Sequence, residues 1–236
     1  MKRGWIVAFA SSKGGPGKTT AVIAVGVDLA LQGYRVTMLD ADPNSHLTEW
    51  WRLAAHDKVR VVGGVGEEDI LDKIREEAAL ADFLFIDLEG TATNTLTYAT
   101  SKSDLVVIPA QPSRMDLHEA FRGVAFLERA SKVVERTIPY RVLLSKMPVL
   151  PTRAARHARA QLNRQGLLVL KTELLERTIF KEMTFHGKTP RELDPESNAT
   201  RNVRALADEI ADVLCGKAVE VKAILPTRAN EQMVVW

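Results

Sequence analysis

Short apolar runs alternate along most of the chain with longer segments of helical periodicity. The runs are rich in Val, Ile and Phe, which is typical of strands buried on both faces of a parallel sheet. The segments between them repeat apolar residues at helical spacing, as in Leu117, Ala120, Val124 and Leu127, which indicates helices with one buried face. We predict strands at residues 5–10, 35–39, 59–62, 83–87, 105–109, 140–144 and 167–170, and helices at 18–32, 45–56, 67–80, 92–101, 116–135, 153–165 and 200–214.

This alternation predicts an α/β fold, with a mostly parallel, doubly wound sheet and helices on both faces. The length of 236 residues suits one substantial core better than two. We therefore expect a single domain over residues 1–215. The remaining segment, 216–236, has weak periodicity and a break at Pro226, and we expect it to be partly disordered or to pack on a partner.

The composition is that of a soluble globular protein, with 46% apolar and 26% charged residues. The single cysteine, Cys215, excludes an internal disulfide framework and favours a reducing cytoplasm. No apolar stretch approaches the roughly 18 to 20 residues of a membrane span, and the run at 5–10 is too short for a signal peptide. We expect a cytoplasmic protein without a stable membrane anchor.

The net charge is only +2, but residues 151–205 hold 11 Lys and Arg against 6 Asp and Glu. On the predicted helix 153–165, four arginines and His157 fall within an arc of roughly 160°, opposite Ala154, Ala155, Ala158 and Leu162. The arc is either a face that binds a polyanion such as DNA or an ordinary solvated helix face. The candidate DNA contacts are Arg153, Arg156, Arg159 and Arg164, joined by Arg201 and Arg204 on the last predicted helix.

A glycine-rich run lies between the first predicted strand and the first predicted helix. It contains Gly14-x-x-Gly17-Lys18-Thr19, the end of a phosphate-binding loop in which Ser12 occupies the usual first-glycine position. Glycines let successive N–H groups point at phosphate oxygens, and the helix N-terminus adds favourable partial charge. Lys18 is expected on the β- and γ-phosphates, Thr19 on Mg²⁺ and Thr20 on the α-phosphate side. The loop backbone is formed by Gly14, Gly15, Pro16 and Gly17.

With Lys13 in front, this run has the form KGGxGKTT and resembles the deviant Walker A loop of the ParA/MinD family of ATPases. Small ParA-type partition ATPases and VirC-type ATPases are the most similar members. The resemblance implies ATP and Mg²⁺ as ligands and a homodimer that sandwiches ATP. It also implies that Lys13 reaches the nucleotide of the partner subunit, where added positive charge stabilises the transition state.

Two acidic motifs extend the resemblance. Asp40-Ala41-Asp42-Pro43 follows a predicted strand and resembles the family's D-x-D-P switch, which implies that Asp40 activates the attacking water. Asp42 is then expected to couple the nucleotide state to the dimer surface and is a further candidate metal ligand. Asp87 ends an apolar strand, as a Walker B acid does, and is expected to hold Mg²⁺ through water. Glu89 departs from the family pattern.

Later segments carry the resemblance to about residue 214. Residues 107–117 resemble the partition-family stretch IP-x-x-PS-x-x-DL, and 180–197 resemble a late loop that closes over the base. The family contacts the base with the segment matched here by Lys146, Met147 and Pro148, although the asparagine common in MinD-like members is missing.

Four functions fit these motifs to different degrees. The first is a ParA-like ATPase that forms an ATP-sandwich dimer and binds double-stranded DNA without sequence preference. Its slow hydrolysis is stimulated by a ParB-like or other cargo-binding partner, and it partitions DNA or positions cargo. A VirC-like ATPase of conjugative DNA processing shares this chemistry. A MinD-like membrane cycle is disfavoured by a tail that has no basic amphipathic helix. A redox role like that of the nitrogenase iron protein is disfavoured by the single cysteine.

Overall fold

Six parallel strands form one sheet in the order β3-β2-β4-β1-β5-β6. The computed structural model describes residues 3–11, 14–89 and 93–216. β2, β4 and β5 are buried along their whole length, as their mostly apolar sequences predict. The strands are β1 (Trp5–Phe9), β2 (Val36–Ala41), β3 (Val59–Val62), β4 (Phe83–Leu88), β5 (Leu105–Ala110) and β6 (Tyr140–Leu144).

Helices cover both faces of the sheet. Four of them begin at a Ser or Thr whose side chain accepts the backbone N–H three residues later, namely Thr93, Ser113, Thr152 and Ser197. The helices within the described residues are α1 (Lys18–Leu31), α2 (His46–Ala54), α3 (Ile70–Leu80), α4 (Asn94–Lys102), α5 (Arg114–Val133), α6 (Arg153–Arg164), α7 (Thr178–His186), α8 (Pro190–Leu193) and α9 (Asn198–Leu214).

The buried apolar side chains form two core layers, one on each side of the sheet. α1, α2, α7 and α9 contribute to one layer, and α3, α4, α5 and α6 contribute to the other. This arrangement confirms the predicted doubly wound α/β fold. Because all strands run in parallel, their carboxyl ends meet at one edge, where ligands of open α/β sheets bind.

The prediction of a strand at 167–170 is wrong. These residues form only an isolated bridge between Val169 and Val142, with backbone bonds on either side of it. The pairing with β6 is interrupted because the next two amides, of Lys171 and Thr172, donate to the Glu209 carboxylate on α9. It resumes at Leu174, whose N–H donates to the Leu144 carbonyl.

The segment 180–197 is not the single loop that the sequence suggested. It includes part of α7 and all of α8. Gly187 ends α7 with a φ of 70°, a left-handed conformation that glycine adopts without strain. Thr189 and Glu192 then form a capping box that begins α8. The glycine and the capping box are both local sequence features. The two helices were nevertheless missed, because they are too short to show a clear helical periodicity.

Every helix in the described ranges is too short or too polar to cross a bilayer. Except for Gly216, the predicted tail 216–236 lies outside the described residues, as do Ser12 and Lys13.

Candidate functional site

The glycine loop leads from β1 into α1 at the carboxyl edge of the sheet. Gly15 and Gly17 both have a φ of 91°, which only glycine adopts readily, and Gly17 caps α1 without a side-chain hydrogen bond. The first amides of α1 therefore stay available to an anion. Two distant side chains fix the loop. Gln111 donates to the Gly15 carbonyl at 3.0 Å, and the Ser145 hydroxyl donates to the Pro16 carbonyl at 2.6 Å.

Lys18 and Thr19 open α1 beside the end of β4. Lys18 is only 6% exposed, and no described acid forms an ion pair with it. The Thr19 hydroxyl donates to Asp87 Oδ2 at 2.6 Å. An ammonium group held at an uncapped helix N-terminus creates a strongly cationic position, which suits a polyphosphate.

Asp87 is completely buried, and its Oδ1 has no hydrogen-bond partner among the described residues. Burial raises the pKa of this carboxyl to about 7, against the lowering effects of the Thr19 hydroxyl and the Lys18 charge. A buried, unpaired carboxylate oxygen next to a threonine hydroxyl fits a hard divalent cation such as Mg²⁺. One carboxylate and one hydroxyl are too few for an all-protein cage, so such a cation would share its remaining positions with phosphate and water oxygens.

Asp40 ends β2 directly beside Asp87, its register partner on β4. It is 1% exposed, and its Oδ2 accepts two hydrogen bonds from Thr48. Asp42 instead turns back on its own loop, where its Oδ1 accepts both the backbone and the side-chain N–H of Asn44. The structure thus brings Asp40 and Asp87 to adjacent strand ends and places the Asp42 carboxylate in a local turn.

A cavity of about 420 Å³ lies on the other side of the loop, against Gly17 and Thr20. Its walls come from the segment after β6 and from α7, and it has the size and mixed apolar and polar lining of a small-ligand site. Sequence reasoning assigned this region to a closing loop and did not single out the α7 side chains. The remaining lining residues are Ser145, Lys146, Leu174, Leu175, Glu176, Arg177, Phe180, Lys181, Thr184 and Phe185.

Of the three predicted base contacts, Lys146 lines this cavity, but Met147 and Pro148 do not. Met147 is 1% exposed and packs in the core. Its N–H donates to the Leu174 carbonyl, and its own carbonyl accepts the Glu176 N–H. This backbone pairing directs the Met147 side chain into the core and away from the cavity, and the contact of this segment with the base stays a prediction.

The arginines predicted to bind DNA are not equivalent. Arg153, Arg156 and Arg164 are exposed on α6, and Ala155, Ala158 and Leu162 are buried on the opposite side of the helix. Ala154 is exposed, contrary to its predicted place on the buried stripe. Arg159 is half-buried and does not face outward as predicted. Its guanidinium pairs with Glu173 at 2.8 Å and donates to the carbonyls of Leu170 and Lys171.

Arg201 and Arg204 lie on α9, which belongs to the other core layer from α6. Arg204 pairs with the buried carboxylate of Asp28 at 2.9 Å, and Arg201 donates to Asn198. The structure therefore does not extend the α6 face onto α9.

The glycine loop that opens α1, with acids at the ends of β2 and β4, defines a P-loop nucleoside-triphosphatase fold. The family model of the VirC1 protein matches residues 5–214, and the chain belongs to this family. The chain is 30% identical over 184 residues to the ParA protein of Rhizobium radiobacter, covering 77% of this chain and 83% of that protein. It is 28% identical over 229 residues to the virC1 protein of Rhizobium rhizogenes, covering 91% and 99%.

The fold is also that of a solved ATP complex of McdA from Cyanothece, with a TM-score of 0.76 and 17% identity over 89% of this chain and 98% of that one. The resemblance to ParA-type and VirC-type ATPases drawn from the sequence motifs is therefore confirmed.

Proposed function

We propose that this chain is a ParA-like, slow switch-type ATPase that converts ATP and water to ADP and phosphate. The observation that supports this most is the arrangement at the head of α1. Lys18 and Thr19 stand at an uncapped helix N-terminus, next to a buried Asp87 whose Oδ1 has no hydrogen-bond partner in the described part of the chain. McdA from Cyanothece, which shares this fold, is solved as an ATP complex, and this supports ATP as the ligand.

Each part of the site then has one task in binding. The amides of Gly14, Gly15 and Gly17 and the Lys18 ammonium hold the phosphates, and Thr20 holds the α-phosphate side. The nucleoside enters the cavity between Lys146 and α7. Thr19 and, through water, Asp87 would hold Mg²⁺, which would offset negative charge on the phosphates.

Hydrolysis needs one further group, a base for the attacking water. Asp40 accepts a proton from this water while the water oxygen bonds to the γ-phosphorus. The bond from the γ-phosphorus to the β,γ-bridging oxygen breaks, and its electron pair stays on ADP. Lys13 of the partner subunit supplies positive charge to the γ-phosphate as this happens, and Lys18 supplies it from within the chain.

ATP with Mg²⁺ is therefore expected to convert monomer to dimer, whereas ADP is not. Lys13→Ala should weaken the conversion, because it removes the charge that reaches across to the partner's phosphates. Sedimentation velocity with a non-hydrolysable ATP analogue measures both effects. Lys73→Ala, on an exposed surface pair of α3, is the matched control and should dimerise normally. An unchanged sedimentation coefficient with the analogue would remove the sandwich model.

The dimer is proposed to bind double-stranded DNA without sequence preference through α6. Arg153, Arg156 and Arg164 are the main contacts, since they are exposed on one helix. Arg159 is retained only as a peripheral contact because Glu173 neutralises it, and Arg201 and Arg204 lie on another element. A ParB-like or other cargo-binding protein is proposed to stimulate hydrolysis and release the dimer from the nucleoid.

A second role with the same chemistry is conjugative DNA processing. The match to the VirC1 family model over residues 5–214 favours it. The ParA relative, at 30% identity, favours partition of plasmid or chromosomal DNA. The two roles differ in cargo and partner, which co-purification of the full chain with its bound proteins distinguishes.

A further inference from the structure

One oxygen of the Asp40 carboxylate is held by both hydrogen-bond donors of one residue. Oδ2 accepts the backbone N–H of Thr48 at 2.8 Å and the Thr48 hydroxyl at 2.7 Å. Asp40 and Thr48 are 1% and 8% exposed, so water does not compete freely for either bond. Charge-assisted bonds in a dry setting fix an acceptor more firmly than neutral or exposed ones.

The same contact completes the beginning of α2. The residue at the N-cap position, Ser45, has a φ of 54° and makes no side-chain capping bond. Thr48 is the third residue of α2, where a capping side chain normally accepts the free N–H. The Asp40 carboxylate takes this place from the end of β2, and its negative charge also suits the helix N-terminus.

Space for the Thr48 hydroxyl is provided by Gly63, which follows β3. A Cβ at Gly63 would stand 2.4 Å from Thr48 Oγ1 and 3.0 Å from Thr48 Cγ2, closer than side-chain atoms can approach. The chain beyond it is tied to the same strand end, because the Val65 N–H donates to the Asp40 carbonyl at 3.2 Å. The end of β2, the first turn of α2 and the segment after β3 therefore meet around Asp40 and Thr48.

We propose that Thr48, with the space left by Gly63, is the positioning residue for Asp40 in hydrolysis. Thr48 occupies Oδ2 with two good bonds. Among the described residues, the donor to Oδ1 is the Asp42 N–H alone, at 3.3 Å, which is longer than an ordinary N–H···O bond. Oδ1 is therefore the oxygen left to take a proton from water. This inference rests on the proposed role of Asp40 as the base.

Thr48→Val tests the hydroxyl, because valine keeps the shape and the backbone N–H but loses one bond to Oδ2. We expect kcat for ATP hydrolysis to fall roughly tenfold, as for one charge-assisted bond, with KM for ATP unchanged. Thr48→Ser keeps a hydroxyl and should restore most of kcat. The matched control is Thr100→Val, a buried threonine on α4 that bonds only backbone carbonyls, and it should leave kcat unchanged.

Gly63→Ala should reproduce the effect of Thr48→Val, because the added methyl displaces the hydroxyl. In a Thr48→Ala background, which removes the Thr48 side chain beyond Cβ, Gly63→Ala should cause little additional loss of kcat. If Gly63→Ala lowered kcat by the same factor in the wild type and in the Thr48→Ala background, Gly63 would not act through Thr48.

A readout without nucleotide keeps structure and catalysis apart. The measurement is the urea midpoint of the nucleotide-free chain, with Thr48→Val introduced once into the wild type and once into Asp40→Ala. The midpoint should fall more in the wild type, because Asp40→Ala has already lost the hydrogen bond from the Thr48 hydroxyl. Equal decreases would overturn the proposed contact. If Asp40→Ala is inactive while Thr48→Val keeps the wild-type kcat, the positioning role of Thr48 is wrong and the role of Asp40 as the base still holds. If Asp40→Ala hydrolyses ATP at the wild-type rate, the proposed base fails first.

Discussion

Lys18→Ala is expected to abolish ATP binding, whereas Asp40→Ala should bind ATP and fail to hydrolyse it. Lys18 is buried at the head of α1, where its ammonium is the strongest protein charge available to the phosphates. Its loss should weaken affinity at least about 100-fold, which corresponds to two or more charge-assisted bonds. Asp40 acts on water and contributes little to ground-state binding, so its removal should reduce kcat with little change in affinity.

The two effects are separated by titrating a fluorescent ATP analogue and by measuring phosphate release at saturating ATP. Lys73→Ala serves as a control for the loss of a lysine, since that side chain forms only a surface pair with Glu76. Because Asp40 also caps α2, circular dichroism must show that Asp40→Ala is folded. Equal loss of binding in both variants would contradict the separate roles assigned to Lys18 and Asp40.

Reversing the charges of Arg153 and Arg156 together is expected to abolish DNA binding and to leave ATP binding intact. Both side chains are exposed on α6, and neither lines the phosphate loop or the cavity beside it. If both contact phosphates, the slope of log affinity against log salt should become less steep by about 2 units. Affinity should also fall by a factor of at least roughly 10 at moderate salt.

Fluorescence anisotropy of a labelled duplex, titrated at several salt concentrations, measures both quantities. The matched control is Arg52→Glu with Arg75→Glu, which reverses two exposed arginines on α2 and α3. Arg159 is left unchanged because its pair with Glu173 supports the fold. Wild-type DNA affinity and salt dependence in the Arg153/Arg156 variant would show that α6 presents only a solvated face.

The features that the sequence predicted well are those encoded locally. Six strands are short, mostly apolar runs. The phosphate loop, with its strand before and helix after, occupies a short stretch of chain. Asp40 and Asp87 could each be placed at the same edge of the sheet, because parallel strands end there. That they face each other on neighbouring strands is set by the strand order, which was not predicted.

The features that could not be predicted depend on partners distant in sequence. Arg159 has helical spacing that places it with the exposed arginines, but Glu173 draws its side chain inward. Arg204 is held by Asp28, which is 176 positions away. The hydrogen bond from the Thr48 hydroxyl to Asp40 depends on the space left by a glycine at position 63. No local sequence pattern around Asp40 or Thr48 indicates this bond.

The cavity beside the loop shows the same limit. It joins Lys146 to α7, a helix too short and irregular in pattern to be recognised from the sequence. The backbone pairing of Met147 with the segment around Leu174 decides which side chains reach it.

The γ-phosphate of ATP is expected to switch the chain into a form that binds DNA, and fluorescence anisotropy with one labelled duplex of arbitrary sequence tests this most directly. We expect saturable binding with Mg²⁺ and a non-hydrolysable ATP analogue, little binding with Mg²⁺ and ADP, and loss of this difference in Lys18→Ala. Equal binding of the duplex in the two nucleotide states, or no binding in either, would contradict it.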